Sequence, residues 1–403
     1  MTKKELVINK IEKKLKDNAI RMTAFITFDN KEEECWFEYP LEYQEYVCNE
    51  RCDAFVIALL PYAMKHNLNI KSNVPISEKL YYQVVSYYIP VLSKYQSHFY
   101  SIELSSMVEK GSLNKGHAVG TGISCGVDSF YSVTKHIENV PDSFKLTHLV
   151  SMNVGSFGYQ GGEFSYNWFQ DELVKALKVS KELNLPLITI NSNLMEVYQE
   201  AHGESGTLRM VGAILGLQKL FSVYYISAGF DIKDFNIESE ENDDYDLFNL
   251  LIGSNESTIF YSTGLEATRF ERTRFISKYP VTYDTLTVCM GGNENCGKCE
   301  KCMRTMGALY ALDVLDRYNK SFNVDDFKRH KVKNLAKIRY FGIGYMKPLY
   351  AEIYDVLRKE EPTMYALYTV LAVLVVLPVE KLKKFVKRIL PLQTVERLKK
   401  IGK

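Results

Sequence analysis

The sequence predicts an α/β protein whose core is a parallel sheet. Three observations predict it. Between residues 115 and 230, short apolar runs alternate with stretches of helical periodicity. A small-residue turn, Ser124-Cys125-Gly126-Val127-Asp128-Ser129, joins the first apolar run to the helical pattern after it. Further on, Cys289, Cys296, Cys299 and Cys302 stand in a C-x6-C-x2-C-x2-C arrangement.

The elements follow in chain order. Glu5–Lys16 reads as a charged helical stretch. Arg21–Phe28 and Glu34–Tyr39 read as a β-hairpin turning at Asp29-Asn30-Lys31. Asp53–Lys65 and Ile76–Leu92 are apolar helical patterns. Cys48 and Cys52 are spaced i, i+4 but lack further ligands nearby, so they read as packing residues. This first block names no function; covering the active site and binding a partner are the two roles it suggests.

The core comes next. His117–Ile123, Leu146–Val154, Pro186–Ile190 and Val223–Ala228 read as buried strands. Phe130–Ile137, Trp168–Leu183 and Leu208–Leu220 read as the helices between them, the pattern of right-handed crossovers. Ligands in such sheets bind beyond the carboxyl ends of the strands. The candidate positions are therefore the turn at Ser124, Asn153-Val154-Gly155, Asn191-Ser192-Asn193 and Gly229-Phe230-Asp231.

At the first of these, a strand running into a helix through small residues aims backbone N–H groups and a helix N-terminus at one point, which is an anion site. Ser124 and Ser129 add hydroxyl donors. A carboxylate repels phosphate, so Asp128 is expected to cap the helix or to help hold a divalent cation. The Walker A pattern is absent from this turn. A helix N-terminus lowers a thiol pKa, which leaves open a nucleophilic or sulfur-carrying Cys125 beside a simple filler role. The Gly- and Ser-rich stretch Asn153–Gly162 suits the adenosine half of a nucleotide, because close backbone approach favours small residues; a surface loop is the plain alternative. His202, Glu204 and Arg209 lie around the start of a helix, and Arg209 is a candidate partner for a phosphate or carboxylate.

Asp231–Asp246 is strongly acidic and reads as a solvated loop that moves over the site or is simply surface. After a strand-like run ending at Thr263, Gly264 turns the chain into a segment bearing Arg269, Arg272 and Arg274. Arg269 and Arg272 are candidate contacts for an anionic substrate; Glu/Arg pairing along a helix is the alternative.

The cysteine run suits tetrahedral zinc–thiolate binding, with a glycine and polar residues between thiols so that the chain turns tightly and donates N–H groups to sulfur. Met303–Leu312 reads as a helix leaving the site. With four thiol ligands and no open position, zinc (Zn2+) there is expected to be structural; iron–sulfur binding and disulfides are the alternatives.

The two motifs together carry a resemblance. Ser124–Ser129 resembles the S-G-G-x-D-S loop of the PP-loop ATP pyrophosphatases, with Cys125 where that family usually has glycine. A PP-loop domain followed by such a cysteine knot is similar to 7-cyano-7-deazaguanine synthase, over about residues 115–315. The resemblance implies an adenine nucleotide alpha-hydrolase-like PP-loop core with a four-cysteine zinc knuckle. It implies ATP and magnesium (Mg2+) as cofactors, with Ser124, Cys125, Gly126, Val127, Asp128, Ser129, Asn153 and Gly229 at the nucleotide and Asp128, Ser129 and Arg209 in the chemistry. The reaction implied is adenylation of a carboxylate with release of pyrophosphate, followed by attack of ammonia or an amine. The expected division is an N-terminal α+β extension (1–113), the PP-loop domain with its knuckle at 289–302 (114–315) and a helical C-terminal extension (316–403). These extensions depart from that family, so the substrate carboxylate is open between a small molecule and a protein, and the N-terminal extension is a candidate partner surface. A sulfurtransferase acting on a nucleotide or tRNA, and a non-catalytic nucleotide-binding protein in a larger assembly, are the alternative functions.

In the C-terminal segment, Met364–Leu377 is an apolar run ended by Pro378, and Lys381–Leu390 is a basic amphipathic pattern. The run is shorter than an ordinary membrane span; a core helix is expected, with an interfacial membrane contact or partner docking as alternatives. Composition is that of a globular protein, 46% hydrophobic and 25% charged, and a net charge of +1 gives no global argument for nucleic acid. Half of the eight cysteines sit in the cluster, which is no disulfide framework, and Met1-Thr2-Lys3-Lys4 opens no apolar leader. A cytoplasmic protein is expected.

Overall fold

A computed structural model describes residues 4–28, 31–158, 161–198, 202–289, 292, 294–342, 349–379 and 381–382. The chain forms two compact units, Met1–Thr268 and Arg269–Lys403. The division falls at 268/269, where the sequence suggested 113/114 and 315/316.

The first unit is built on one ten-stranded, mostly parallel sheet. It begins with an antiparallel meander, β1 (Lys4–Lys16), β2 (Ala19–Phe28) and β3 (Lys31–Pro40). Helix α1 (Asp53–Lys65) follows, then β4 (Leu68–Ser72), which pairs parallel to β1. A helical run from Glu78 to Tyr95, with a π turn at Val84–Tyr88, leads to the two-residue edge strand β5 (Leu104–Ser105). The alternating elements come next: β6 (Ala118–Gly122), α2 (Val127–His136), β7 (His148–Asn153), α3 (Gly162–Leu183), β8 (Leu187–Ser192), α4 (His202–Leu215), β9 (Phe221–Ser227), α5 (Asp246–Gly253) and β10 (Ile259–Thr263). The strand order is β10-β9-β6-β7-β8-β3-β2-β1-β4-β5. An antiparallel pairing of Asn191 with Glu38 and Ser192 with Phe37 joins the meander to the parallel strands.

The expected helix at Glu5–Lys16 is strand β1 instead. Leu6 and Ile8 are buried on one face, and a bulge between Ile8 and Lys10 shifts the register so that Ile11 also turns inward. Glu12 binds Lys10 at 2.6 Å and Lys14 at 2.7 Å. Such i, i+2 neighbours share a face only in an extended chain. The charges mimic a helical surface, but they line one side of a strand.

Alternate residues of the parallel strands bury on opposite faces. Ala118, Val150, Ile188, Ile190 and Tyr224 join one large core with α1 and α4, and the meander's Met22, Phe37 and Tyr39 belong to the same core. Val119, Val223 and Tyr225 form a separate cluster, and α2 packs against the sheet at β6 and β9. Helices therefore cover both faces. Helices α1 and α4 cross closely: a Cβ at Gly212 would lie 2.5 Å from the Ala54 carbonyl oxygen. Tyr39 donates its hydroxyl to the Ala213 carbonyl at 2.9 Å. The N-terminal strands thus share their hydrophobic core with the α4 crossover.

The second unit contains α6 (Arg269–Ile276), α7 (Glu300–Ala311), α8 (Lys331–Phe341), α9 (Ala351–Glu360) and α10 (Pro362–Leu371). Helix α7 packs against α6, α8 and α9, burying Met303, Met306 and Leu309 with Leu335, Ile338, Ile353 and Leu357. The core helix expected at Met364–Leu377 is helical but not core. Helix α10 runs on through a π turn at Ala372–Val376, and of its residues from 362 to 379 only Tyr368 and Ala372 are buried.

Candidate nucleotide loop and candidate metal centre

Strand β6 is central among the parallel strands. The chain moves from it to β7 and β8 on one side, then crosses to β9 and β10 on the other. The order therefore reverses between β6 and β9, and the carboxyl ends of strands part at such a point, leaving a crevice. The turn Ser124–Ser129 leaves β6 there, and Gly229 follows β9.

Within the turn, Cys125 has φ +56° and is 2% exposed. A side-chain-bearing residue in the left-handed region costs about 1–2 kcal/mol relative to glycine. The fold holds it there because the thiol is enclosed. Burial pushes the Cys125 thiol up to about 12, with Lys175 on α3 pulling weakly the other way. The lowering expected from the helix N-terminus is overturned by desolvation, which leaves a neutral thiol packed inside.

Gly126 is the N-cap of α2 and provides no side-chain cap. Asp128 therefore does not hold the capping position; it sits half-exposed in the first turn, where its charge faces the positive end of the helix. Ser124 is exposed and donates its hydroxyl to Ser129 Oγ at 3.2 Å, and Ser129 donates to the Gly126 carbonyl at 3.1 Å. The two hydroxyls thus form one short chain along the opening of the turn.

The neighbouring strand ends are tied laterally. Asn153 Nδ2 donates to Asn191 Oδ1 at 2.9 Å, and Ser192 Oγ donates to the Asn153 carbonyl at 2.8 Å. Asn193 stitches the same edge to β3, accepting from Trp36 N at 2.7 Å and donating to the Glu34 carbonyl at 2.7 Å. Gly155 has φ +116°, and a Cβ there would lie 2.4 Å from Arg209 Nη1. Arg209 itself is fully buried, with Nη1 2.9 Å from Met195 Sδ. It packs directly beneath the Asn153–Gly155 turn. The side chains of His202 and Glu204 lie outside the described residues.

Beyond β9, Gly229 stands beside a small cleft lined by Phe230, Asp231, Asp234, Asp243 and Asp246. The acidic segment is largely exposed, as its charge suggests, but its end is not. Asp246 is buried, accepts from the Thr207 hydroxyl, and burial drives its carboxyl well above the usual range. On the opposite flank Tyr131 donates to Glu266 at 2.6 Å, and Lys135 also binds Glu266. Lys175 and Glu172, both close enough to influence the Cys125 thiol, were not signalled by any motif. Their only sequence signature is their i, i+3 spacing along α3.

Arg269 and Arg272 both lie on α6 in the second unit. Arg269 is half-buried and Arg272 is 1% exposed.

The cysteines come together. The Sγ atoms of Cys289, Cys296, Cys299 and Cys302 all lie within 4.8 Å of one another, an arrangement able to hold a metal ion and compatible with zinc. Gly297, at φ +67°, makes the turn between Cys296 and Cys299. The turn directs N–H groups at sulfur as the spacing suggested: Lys298 N and Cys299 N donate to Cys296 Sγ at 3.5 and 3.3 Å, and Cys302 N donates to Cys299 Sγ at 3.4 Å. Cys299 is also the N-cap of α7, so the knuckle is part of the helix start. Partial burial works to raise the Cys296 thiol, but the hydrogen bonds from Lys298 and Cys299 outweigh it and bring it to about 7. Burial raises Cys299 and Cys302.

One residue holds the arms of the cluster in register. Asn295 Oδ1 accepts from Val288 N at 2.8 Å, while Nδ2 donates to the Leu286 and Ser321 carbonyls at 2.8 and 2.9 Å. It thereby fixes the chain entering Cys289 against the turn at Cys296. Nothing in the cysteine spacing announces this role.

Comparison with family models, with curated proteins and with solved structures returns no match.

Proposed function

We propose that the protein is an ATP-dependent ligase that adenylates a carboxylate and passes the acyl group to an amine or ammonia. The observation that supports this most is the turn Ser124–Ser129, set where the strand order reverses and holding Cys125 in a left-handed conformation. That conformation bends the chain so that Gly126 and the open first turn of α2 follow directly, an arrangement suited to a phosphate chain.

In the proposed reaction a carboxylate oxygen attacks the α-phosphorus of ATP. The bond from that phosphorus to the bridging oxygen breaks, and pyrophosphate leaves with the electron pair. The backbone N–H groups at the start of α2 and the Ser124 and Ser129 hydroxyls would receive its charge, so catalysis is chiefly positioning and charge neutralisation. Asp128 is the carboxylate at the turn that would hold magnesium, which supplies charge neutralisation to the phosphates when bound. Asn153 and the Gly155 turn would meet the adenosine half, with Arg209 supporting that turn from below. The amine nitrogen then attacks the acyl carbon and AMP departs.

At the cysteine cluster the proposed ion is zinc in a structural role. Four thiol donors within reach of one another, three N–H···S contacts and the Asn295 brace fit a closed tetrahedral site. The sulfurtransferase alternative needs a Cys125 thiolate, and the burial that raises this thiol disfavours one.

The test is a product assay with α-32P-labelled ATP and magnesium, with and without cell extract as the substrate source. Extract-dependent labelled AMP is expected, and Ser129→Ala should lower it at least tenfold with the melting temperature preserved. Labelled ADP, or no product with extract present, would overturn the adenylation reading.

A further inference from the structure

We propose that the outward face of the helix from Pro362 to Val379 docks on an anionic lipid surface. These 18 residues have a mean hydropathy of 1.9, and 11% of them are buried. None carries a charge. The helix is about 27 Å long at 1.5 Å per residue. One side, through Tyr368 and Ala372, is packed within the unit, where α10 lies against α8. The other side presents Leu367, Val370, Val373 and Leu374, exposed by 41%, 51%, 44% and 69%. Their i, i+3, i+4 spacing makes a single outward stripe. A helix of a water-borne unit normally turns a polar face outward; this one turns aliphatic side chains outward along its length.

The sequence that follows says what covers the stripe. Residues 380–403 hold nine Lys and Arg against two acidic residues, a net +7, whereas the whole chain is +1 and the preceding 379 residues are therefore −6. Lys381, helical and exposed, begins this run two residues past Val379. A basic cluster next to an apolar helix matches a surface that is negative outside and hydrocarbon beneath. Parallel pairing of two copies of the helix would bring two +7 segments together, so charge selects against that occupant. The stripe has only aliphatic side chains, with none of the Trp, Tyr or Arg anchors that dominate protein interfaces, and this suits acyl chains. Seated in the interface, the helix would place its stripe among acyl chains and the basic run among headgroups.

The purified full-length chain would be floated with neutral phosphatidylcholine vesicles and with vesicles containing about one third phosphatidylglycerol. Binding to the anionic vesicles is expected at low salt, weakening as salt screens the basic run. Leu374→Glu, with an unchanged melting temperature, should reduce the bound fraction at least tenfold. Lys383→Glu combined with Lys384→Glu should abolish the preference for anionic over neutral vesicles. Equal binding by Leu374→Glu and the parent chain would overturn the proposal. So would failure to float, and in that case sedimentation in the absence of lipid tells whether the stripe is instead a seam between two copies, which Leu374→Glu would dissociate.

Discussion

The cysteine cluster and the Ser124 turn differ in how much of the chain is needed to build them. The cluster takes its ligands from residues 289 to 302, and its turn, its N–H···S contacts and the helix cap at Cys299 all come from that stretch. The Ser124 turn is equally short, but its surroundings are not. Its place in a crevice depends on β9 crossing to the far side of β6, and the strand ends and flank around it, at Asn153, Gly229 and Glu266, together span more than a hundred residues of sequence. A local site is specified by spacing, so removing one ligand should destroy it. A site assembled by topology is held by the sheet, so changes in its loop should alter geometry while the fold survives.

The strongest test of that contrast is Cys302→Ser. Cys302 is buried, and its N–H closes the knuckle by donating to Cys299. Where metal binding energy is folding energy, a complete zinc–thiolate site supplies about 10 kcal/mol or more. The substitution should take the metal content, measured by emission spectroscopy of the dialysed protein, from one ion per chain to near none. It should also cost several kcal/mol in the stability of the second unit. Unchanged metal content would show that the ion is held elsewhere, and the local-site half of the comparison would fail.

A smaller effect is expected at Cys125, where backbone and side chain conflict. Valine is branched at Cβ, and such residues are true outliers at positive φ. Cys125→Val should destabilise the first unit by about 1–3 kcal/mol. Cys125→Gly loses a buried thiol but relieves the left-handed strain, so its denaturation midpoint should stay within about 1 kcal/mol of the parent. Equal midpoints for valine and glycine would mean that the turn is not left-handed at this position, and the phosphate-cradle argument would lose its geometric basis.

What could be read in advance divides along the same line. The alternation of β6, α2, β7, α3, β8, α4 and β9 was legible because buried parallel strands are continuous apolar runs, here β-branched and aromatic, separated by helical periods. The knuckle was legible from four thiols at characteristic intervals. Strand β1 was not: the Lys and Glu along its exposed side carry no period that separates them from a helix surface, and the bulge after Ile8 breaks the apolar alternation. The outward stripe of α10 is not legible in the sequence, because hydrophobicity reports what a helix is made of, not what covers it. Arg209 was singled out for its charge, yet its guanidinium lies under the Gly155 turn through contacts that no local spacing encodes. Asn295 is not legible for the converse reason, since its backbone partners at Leu286, Val288 and Ser321 are set by the folded path of the chain.

The smallest expected effect concerns the flank of the topological site. Burial works to raise the Glu266 carboxyl, but hydrogen bonds from Lys135 and Tyr131 outweigh it and hold it at about 2, below its ordinary 4.5. A carboxylate whose pKa is depressed on folding contributes stability above its unfolded value and loses it as pH falls towards the folded one. The window is therefore from about 4.5 down to about 2. Because the Glu266 side chain is 52% exposed, solvent screening limits the contribution to under about 1 kcal/mol. Glu266→Gln should be slightly less stable than the parent at pH 6, and the gap should close progressively below pH 4.5, as measured by denaturant unfolding across a pH series. A gap that stayed constant down to pH 2 would assign the effect to packing rather than charge. The tie between α2 and the end of β10 would then be steric, and the wall of the crevice would not respond to proton uptake.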